Sequence, residues 1–300
     1  MSAGFFQRSG DLLDGDAISK LSVCIVGLGS VGSKISDQLV RAGVMHFTLV
    51  DPDAVDASNL SRSIYRHEDI GSPKTIALAR QLSAINPSVQ CDLFAHSIED
   101  SLEKGHLDLR QFALIVATTD DTLTQARLNV LAFHFGVPAV FPGVYPMGAG
   151  GEVATVVPGI TRCHRCAVSD RPQRLSTSTD YGTGRTDGVV ALGPDVSLVA
   201  DFASKVALSL LASIDGSPMS NFISGALGGG LSYVILGLEP EFWIFPRLFA
   251  STPSQYAGQT LWIRPVGDPE CPVCGDASQD DDASPLGSVP DAQALRRGDQ

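Results

Sequence analysis

The sequence is poor in positive charge. Its 300 residues include 21 Lys and Arg against 33 Asp and Glu, which gives a formal net charge of -12 at pH 7. A surface with this excess of carboxylates repels nucleic-acid phosphates and anionic lipid headgroups. We therefore expect no nucleic-acid partner and no membrane partner for this protein.

Long hydrophobic runs are also missing. Residues 1–10 contain no apolar segment of the kind found in secretory signals. The hydrophobic stretch at residues 196–214 is interrupted by Asp201 and Lys205, which indicates a buried amphipathic helix and not a membrane span. Hydrophobic residues make up 44% of the chain, which is enough for one large core. We expect a soluble, cytoplasmic protein.

Short apolar runs alternate with helical patterns through the first half of the chain. They predict strands at 21–27, 47–50, 89–94, 113–117 and 139–141, and helices at 30–42, 73–85 and 120–135. Ser72 is the predicted N-cap of the second helix. The second half predicts strands at 152–157, 232–238 and 260–264, a helix at 194–212 and a long polar loop at 169–188. The expected fold class is α/β: a Rossmann-like parallel sheet with helices on both faces, continuing into a partly antiparallel C-terminal part.

A glycine-rich loop lies directly between the first predicted strand and the first predicted helix. Gly27, Gly29 and Gly32 form G-x-G-x-x-G in the context that this motif requires. The first glycine permits the tight turn, the second lets the backbone approach phosphate, and the third lets helix and strand pack closely. Asp51, at the end of the next strand, is placed to bind a ribose. This pattern predicts a nucleotide site, which suits NAD as well as ATP.

The residues beyond Asp51 favour ATP. Adenylation brings a carboxylate to the α-phosphate and builds charge on the departing pyrophosphate, so it requires positioned cations and a metal ion. Arg62 and Lys74 supply cations, Asn59 offers a hydrogen bond to phosphate oxygens, and Asp120 follows a strand where it can hold Mg²⁺. Hydride transfer to NAD needs none of these. The structural alternatives are a solvated Arg62, an Asp120 that caps the next helix, and an Asn59 that stabilises a turn.

Cysteines occur as two chelating pairs, Cys163-x-x-Cys166 and Cys271-x-x-Cys274. Four thiolates without an open position suit tetrahedral structural zinc. Such a site would tie the segment after the sheet to the C-terminal part of the fold. We expect about one zinc ion per chain, with His164, between two ligands, outside the ligand set.

Taken together, these motifs resemble those of the ThiF/MoeB/HesA superfamily, whose fold is shared by ubiquitin-activating enzymes. The resemblance rests on the 27–32 loop, residues 49–53, 58–62 and 71–74, Asn86-Pro87, Thr119-Asp120, Asn129 and the two cysteine pairs. It implies ATP, Mg²⁺ and Zn²⁺ as cofactors and a nucleotide site made of Gly27, Gly29, Ser30, Gly32, Asp51, Asp53, Ser58, Asn59, Arg62, Lys74, Asp120 and Asp121.

The same resemblance implies roles and partners. Asp51 would bind ribose, Asn59, Arg62 and Lys74 would contact the triphosphate, and Asp120 would bind Mg²⁺. Members are usually homodimers in which an N-terminal Arg, here Arg8, reaches the other subunit's ATP. The substrate is typically the C-terminal glycine carboxylate of a small ubiquitin-like or sulfur-carrier protein. A conjugating enzyme or a sulfurtransferase would be a further partner.

The resemblance also suggests a domain organisation. Residues 1–275 would form a single adenylation domain, with an N-terminal arm at 1–20 and a crossover loop at 167–190. Residues 276–300, rich in Asp, Ser, Pro and Ala, would be a disordered acidic tail.

The sequence departs from the family pattern at four positions near the site. Ser30 stands for a common glycine, Ser63 for a Gln, Asp121 for an Asn and Gln125 for an Arg. We expect ATP binding to survive these changes, whereas substrate preference is open to change.

The predicted crossover loop contains no cysteine, which argues against a thioester on this chain. The adenylate would pass directly to a partner, or form an oxyester with Ser176, Thr177, Ser178, Thr179 or Thr183, although a hydroxyl needs an activating base. A peptide or a small-molecule carboxylate is an alternative substrate. An inactive ATP-binding scaffold is a third possibility. It is disfavoured because an inactive relative tends to lose one of the site residues, whereas this chain has all of Asp51, Arg62, Lys74 and Asp120. An NAD oxidoreductase is a fourth, and it leaves the cations unexplained.

Overall fold

The computed structural model describes residues 7–169, 190–239 and 258–275. In these ranges the strands are β1 (Ser22–Val26), β2 (His46–Val50), β3 (Gln90–Phe94), β4 (Leu114–Ala117), β5 (Ala139–Val144), β6 (Gly150–Val156), β7 (Tyr233–Gly237) and β8 (Gln259–Ile263). They form one sheet in the order β3-β2-β1-β4-β5-β6-β7-β8.

Helices cover this sheet. The α-helices are α1 (Gly15–Ile18), α2 (Ser30–Arg41), α3 (Lys74–Ile85), α4 (Ile98–Glu103), α5 (Thr122–Phe135), α6 (His164–Val168), α7 (Gly193–Ala212) and α8 (Asn221–Gly228). Short 3₁₀ helices occur at Ala57–Ser61, His67–Asp69, Leu109–Gln111, Pro146–Gly148 and Pro218–Ser220. None of these helices combines the length and the hydropathy of a membrane span.

Two modes of pairing divide the sheet. Strands β1 to β5 pair in parallel, and β6, β7 and β8 continue the sheet as an antiparallel meander. The predicted fold class is confirmed. In the parallel part, Val26 pairs with Val50 on one side and with Ala117 on the other. The carboxyl ends of β1, β2 and β4 are therefore level, and the residues that follow them meet at one edge.

The core lies on both faces of the sheet. In β1, Val23 and Ile25 belong to one hydrophobic cluster, which includes buried residues of α2, α3 and α7. Cys24 and Val26 belong to the other, which includes buried residues of α4 and α5. Burial on both faces explains why β1 is an uninterrupted apolar run and does not alternate with polar residues.

Three predicted helix starts are wrong by one or two residues, and in α7 the start is Gly193 where 194 was predicted. Ser72 does not cap α3: Pro73 occupies the N-cap position without a side-chain hydrogen bond, and the Ser72 carbonyl accepts a hydrogen bond from the Val55 amide at 2.8 Å. The helix predicted from Asp120 begins at Thr122, because Asp121 has extended backbone and caps it. The short helices α1, α4, α6 and α8 were not predicted, since few turns carry little periodicity.

The N-terminal segment packs on the domain from Leu12 onward. The Leu12 carbonyl accepts a hydrogen bond from the Met219 amide at 3.0 Å, and the Asp14 amide donates to Ser217 Oγ at 3.1 Å. Leu13 and Ile18 are buried in the core. Most of the predicted polar loop, with its five hydroxyl candidates, and the predicted tail lie outside the described residues, so the domain boundaries remain predictions.

Candidate functional site

The glycine loop between β1 and α2 has two tight positions and one open position. Gly27 has φ +89°, and a Cβ there would lie 2.7 Å from the Thr119 amide nitrogen. A Cβ on Gly32 would lie 2.0 Å from the Gly27 carbonyl oxygen. A Cβ on Gly29, by contrast, would have no described heavy atom within 4 Å outside its own chain neighbours. Gly27 and Gly32 are therefore closely packed, whereas the Cβ position of Gly29 is open, and Ser30 is the first residue of α2.

Asp51 connects the end of β2 to this loop. Its carboxylate accepts hydrogen bonds from the Leu28 amide at 2.6 Å and from the Asp53 amide at 2.8 Å. Tyr65 also holds the loop, because its hydroxyl donates to the Leu28 carbonyl at 2.6 Å. Burial raises the pKa of Asp51, against the opposing effect of the Lys74 ammonium and the two amide donors. Oδ2 accepts only the Leu28 amide among these contacts, so it has the capacity to accept a further hydrogen bond.

Lys74 is buried at the start of α3, between two carboxylates. Its Nζ lies 2.9 Å from Asp53 Oδ2 and 3.6 Å from Asp51 Oδ1. The structure thus brings together three residues that the sequence had placed in the nucleotide site. Removing the ammonium would leave Asp51 buried without its cation, which strongly destabilises a protein. A Lys74 substitution would therefore change stability and chemistry together.

Asn59 and Arg62 lie on and after the 3₁₀ helix Ala57–Ser61. Asn59 Oδ1 accepts a hydrogen bond from the Asp56 amide at 2.9 Å, and the Asp56 carboxylate accepts one from the Ser58 amide at 2.8 Å. Asn59 thus has the turn-stabilising contact that was the alternative to phosphate binding, while its amide nitrogen is a separate donor. Arg62 is half-buried at the C-cap of this helix.

The beginning of α7 lies against this turn. A Cβ on Gly193 would lie 3.1 Å from the Ser61 carbonyl oxygen and 3.9 Å from Arg62 Cα. The chain therefore returns from the predicted crossover loop directly beside Arg62. This contact places the incoming segment and the candidate cation at the same edge of the sheet.

The carboxylates after β4 have different surroundings. Asp121 caps α5, accepting hydrogen bonds from the Leu123 amide at 3.1 Å and the Thr124 amide at 3.3 Å. Asp120 is exposed and immediately precedes this cap. The capping role that the sequence allowed for Asp120 thus belongs to Asp121, and the Asp120 side chain is exposed to solvent. A nucleotide role for Asp121 remains a prediction.

The four paired cysteines converge. Their Sγ atoms all lie within 4.8 Å of one another, with Cys163 to Cys271 at 3.7 Å and Cys166 to Cys274 at 3.6 Å. A tetrahedral site with Zn–S bonds of about 2.3 Å has S–S edges of about 3.8 Å, so the geometry fits zinc. We call these four residues the cysteine cluster. His164 lies outside this set of ligand atoms, and its ring stacks on Phe141 with centroids 4.3 Å apart.

Sequence reasoning missed two features near the site. Tyr65 carries no motif, and only its contact with the loop reveals it. Glu152 is buried in β6 and accepts hydrogen bonds from the Tyr145 hydroxyl at 2.7 Å and from the Tyr233 hydroxyl. A lone acid within the otherwise uncharged β6 is the pattern that could have indicated a buried carboxylate. Arg8 is exposed near the N-terminus and makes no contribution to the site of its own chain that the described geometry reveals.

The comparison with protein families agrees with this arrangement. A model of the ThiF family matches residues 7–228. The chain belongs to the ThiF family. The match covers the glycine loop, Asp51, Arg62, Lys74, Asp120 and one of the two cysteine pairs, so the resemblance inferred from the motifs is confirmed.

Relatives of this ThiF-family chain include two named enzymes. It is 29% identical over 195 residues to ubiquitin-like modifier-activating enzyme 5 of Dictyostelium discoideum, a match that covers 62% of this chain and 50% of that one. It is 29% identical over 269 residues to the sulfur carrier protein adenylyltransferase of Thermus thermophilus, covering 87% and 84%. The chain therefore spans about half the length of the first relative.

A crystal structure of E. coli MccB with ATP has the same fold. It aligns with a TM-score of 0.63 and 18% sequence identity, covering 87% of this chain and 68% of MccB. At that identity the likeness shows the fold alone.

Proposed function

We propose that this ThiF-family chain is an adenylyltransferase. It would use ATP and Mg²⁺ to activate the C-terminal carboxylate of a small ubiquitin-like or sulfur-carrier protein, with release of pyrophosphate. The observation that carries the proposal is the level register of β1, β2 and β4, with Val26 paired to both Val50 and Ala117. This register supports a single site that includes the glycine loop, the paired Asp51 and Lys74, and the exposed Asp120.

In this proposal the chain's own residues bind and orient the reactants. The amides at the start of α2 and the helix dipole receive a phosphate at the open Gly29 position. Asp51 binds the ribose, and Arg62 and Lys74 offset the negative charge that grows as pyrophosphate leaves. Mg²⁺, held by Asp120, would supply further charge neutralisation. The substrate carboxylate oxygen bonds to the α-phosphorus while the bond from that phosphorus to the pyrophosphate oxygen breaks.

The cysteine cluster would hold one structural zinc ion. It would crosslink two segments that are far apart in sequence, 163–166 and 271–274. The closed four-thiolate set leaves no coordination position for a substrate. The proposed partnership is a homodimer in which Arg8, exposed near the N-terminus, reaches the partner's nucleotide.

Direct transfer of the adenylate to a partner, without a thioester on this chain, belongs to the same proposal. Mass spectrometry of a trapped reaction would then find no covalent adduct on the chain. The oxyester alternative requires an adduct that disappears when Ser176, Thr177, Ser178, Thr179 and Thr183 are all replaced. An ester that survives this replacement excludes that route.

Nucleotide choice tests the proposal most directly. Calorimetric titration should give saturable binding of ATP with Mg²⁺ and none of NAD, because the cationic groups beside the loop match a triphosphate. ATP–pyrophosphate exchange should then depend on an added ubiquitin-like or sulfur-carrier protein. NAD binding without ATP binding would refute the proposal. If ATP binds and a small carboxylate alone supports the exchange, the substrate would be a small molecule and not a carrier protein.

Two glycine substitutions separate binding from packing. Gly29→Ala should lower the free energy of unfolding by about 1 kcal/mol, the usual cost of Ala at an N-cap position. It should weaken ATP binding at least about tenfold, because the new methyl group takes space that the phosphate needs. Calorimetry and thermal unfolding measure the two effects.

The matched variant is Gly32→Ala, one turn further along the loop and helix. Its Cβ would lie 2.0 Å from the Gly27 carbonyl oxygen, so overpacking should destabilise the fold by about 1–3 kcal/mol or more. Equal ATP affinity for Gly29→Ala and the parent would mean that Gly29 does not face the phosphate.

A further inference from the structure

On one face of α5, every fourth residue caps the helix or contacts a neighbouring segment of the chain. The residues are Asp121, which caps the helix, followed by Gln125, Asn129 and Phe133. Residues four apart lie one above the other on an α-helix of 3.6 residues per turn. We call this set the α5 stripe. It spans the helix from the candidate nucleotide edge to the cysteine cluster.

At the nucleotide edge, Gln125 holds the segment between β4 and α5. Its Nε2 donates a hydrogen bond to the Thr119 carbonyl at 2.6 Å. Thr119 directly precedes Asp120, and its amide nitrogen lies so close to Gly27 that a Cβ there would be only 2.7 Å away. By fixing Thr119, Gln125 therefore restrains both the exposed carboxylate and the first glycine of the loop.

At the other end, Asn129 holds the first cysteine pair. This side chain is 1% exposed, and its Oδ1 accepts a hydrogen bond from the His164 amide at 2.7 Å. His164 lies between Cys163 and Cys166 in sequence. Phe133, one turn further along α5, packs against the cysteine cluster.

The contacts at the two ends belong to one rigid element. Gln125 and Asn129 are about 6 Å apart along the helix axis, at 1.5 Å per residue. A change in position of the cysteine pair therefore has a short path of hydrogen bonds to Thr119, buried at Asn129 and half-buried at Gln125. Neither residue needs to touch a substrate for this to affect the site.

We infer that the α5 stripe couples the cysteine cluster to the nucleotide site, with Asn129 and Gln125 as positioning residues. A metal ion in the cluster fixes the His164 amide, Asn129 fixes α5 to that amide, and Gln125 fixes Thr119 and Asp120 in the geometry that ATP with Mg²⁺ requires. This inference rests on the proposed function. By linkage, ATP and zinc then stabilise each other's binding.

The test compares ATP–Mg²⁺ affinity before and after the cysteine metal is removed with a zinc-selective chelator that spares Mg²⁺. In the parent, removal should weaken ATP binding about three- to tenfold, the effect of losing one positioned hydrogen bond. Gln125→Met, a neutral substitution of similar size, should show that weakening already with the metal bound. Removing the metal from this variant should weaken binding further by less than about twofold.

The control is Gln111→Met, the same substitution at an exposed position on the 3₁₀ helix Leu109–Gln111, and it should behave like the parent. Hydrogen exchange gives a readout that does not depend on ligand. The amides of Asp120 to Leu123 should exchange faster in Gln125→Met and in the metal-free parent, while β1 stays protected.

Asn129→Leu keeps the experiment decisive if the metal-free parent unfolds. With its metal bound, this variant should bind ATP three- to tenfold more weakly than the parent, about the effect of one lost hydrogen bond. The coupling is overturned if the parent binds ATP and metal but both variants and the chelated protein have the same ATP affinity as the parent. The proposed function would still stand in that case. The coupling is also overturned if chelation lowers the ATP affinity of the parent and of Gln125→Met by the same factor. A parent that does not bind ATP overturns both.

Discussion

Arg62→Ala should lower the rate of ATP–pyrophosphate exchange about a thousandfold, the loss expected when one positioned donor to transition-state charge is removed. Arg62 follows the 3₁₀ helix at the candidate site, and the start of α7 lies beside its backbone. Its side chain is half-buried, and thermal unfolding of the variant checks that the fold survives the truncation. This makes Arg62 a sharper test than Lys74, whose ammonium also compensates the buried Asp51.

Arg66→Ala is the matched control. It lies in the same connection between β2 and α3, but its side chain is 70% exposed and forms a 3.8 Å ion pair with the equally exposed Glu68. Exchange in this variant should stay within about twofold of the parent, since exposed ion pairs contribute little. Equal exchange rates for Arg62→Ala and Arg66→Ala would contradict the role assigned to Arg62.

Cys271→Ser should reduce the zinc content from about one ion per chain to nearly none and should lower Tm by about 10 °C or more. Cys271 is buried, with its Sγ 3.7 Å from that of Cys163. Serine is a poor zinc ligand, and the loss of the crosslink would release the segment 271–274 from the segment 163–166. Metal analysis and calorimetric unfolding measure the two effects.

Cys91→Ser is the control for this substitution. Cys91 is half-buried on β3 and lies outside the cysteine cluster. Burial raises the pKa of its thiol to about 11. Among the described residues it belongs to no group of three or more metal-ligating side chains, so it should bind no metal. Its variant should keep the zinc and most of the stability. A parent that is metal-free and fully folded would refute the zinc assignment.

Much of the fold is predictable from local pattern. The apolar runs of β1, β2 and β4 are recognisable because strands buried on both faces are largely apolar and do not alternate with polar residues. The helical periodicity of α2 and α7 was equally clear. The short helices were not predictable, and the helix starts near Ser72 and Asp120 were off by one or two residues, because capping depends on which neighbouring side chain reaches the first free amides.

The candidate site divides in the same way. G-x-G-x-x-G between a strand and a helix, and two C-x-x-C pairs, indicate their chemistry through spacing alone, because turn geometry and chelation act over a few residues. The family match to residues 7–228 agrees with what these motifs indicated. The sequence by itself thus determined the family, the fold class and the candidate residues.

Only the tertiary structure decided how those residues divide their roles. It buried Lys74 between Asp51 and Asp53, made Asp121 the cap and left Asp120 exposed, and joined Asn129 to the His164 amide. Each of these outcomes depends on partners whose distance is set by strand register and helix packing. The sequence encodes that packing only through the whole chain, since it is the sum of many weak contacts and no short motif contains it.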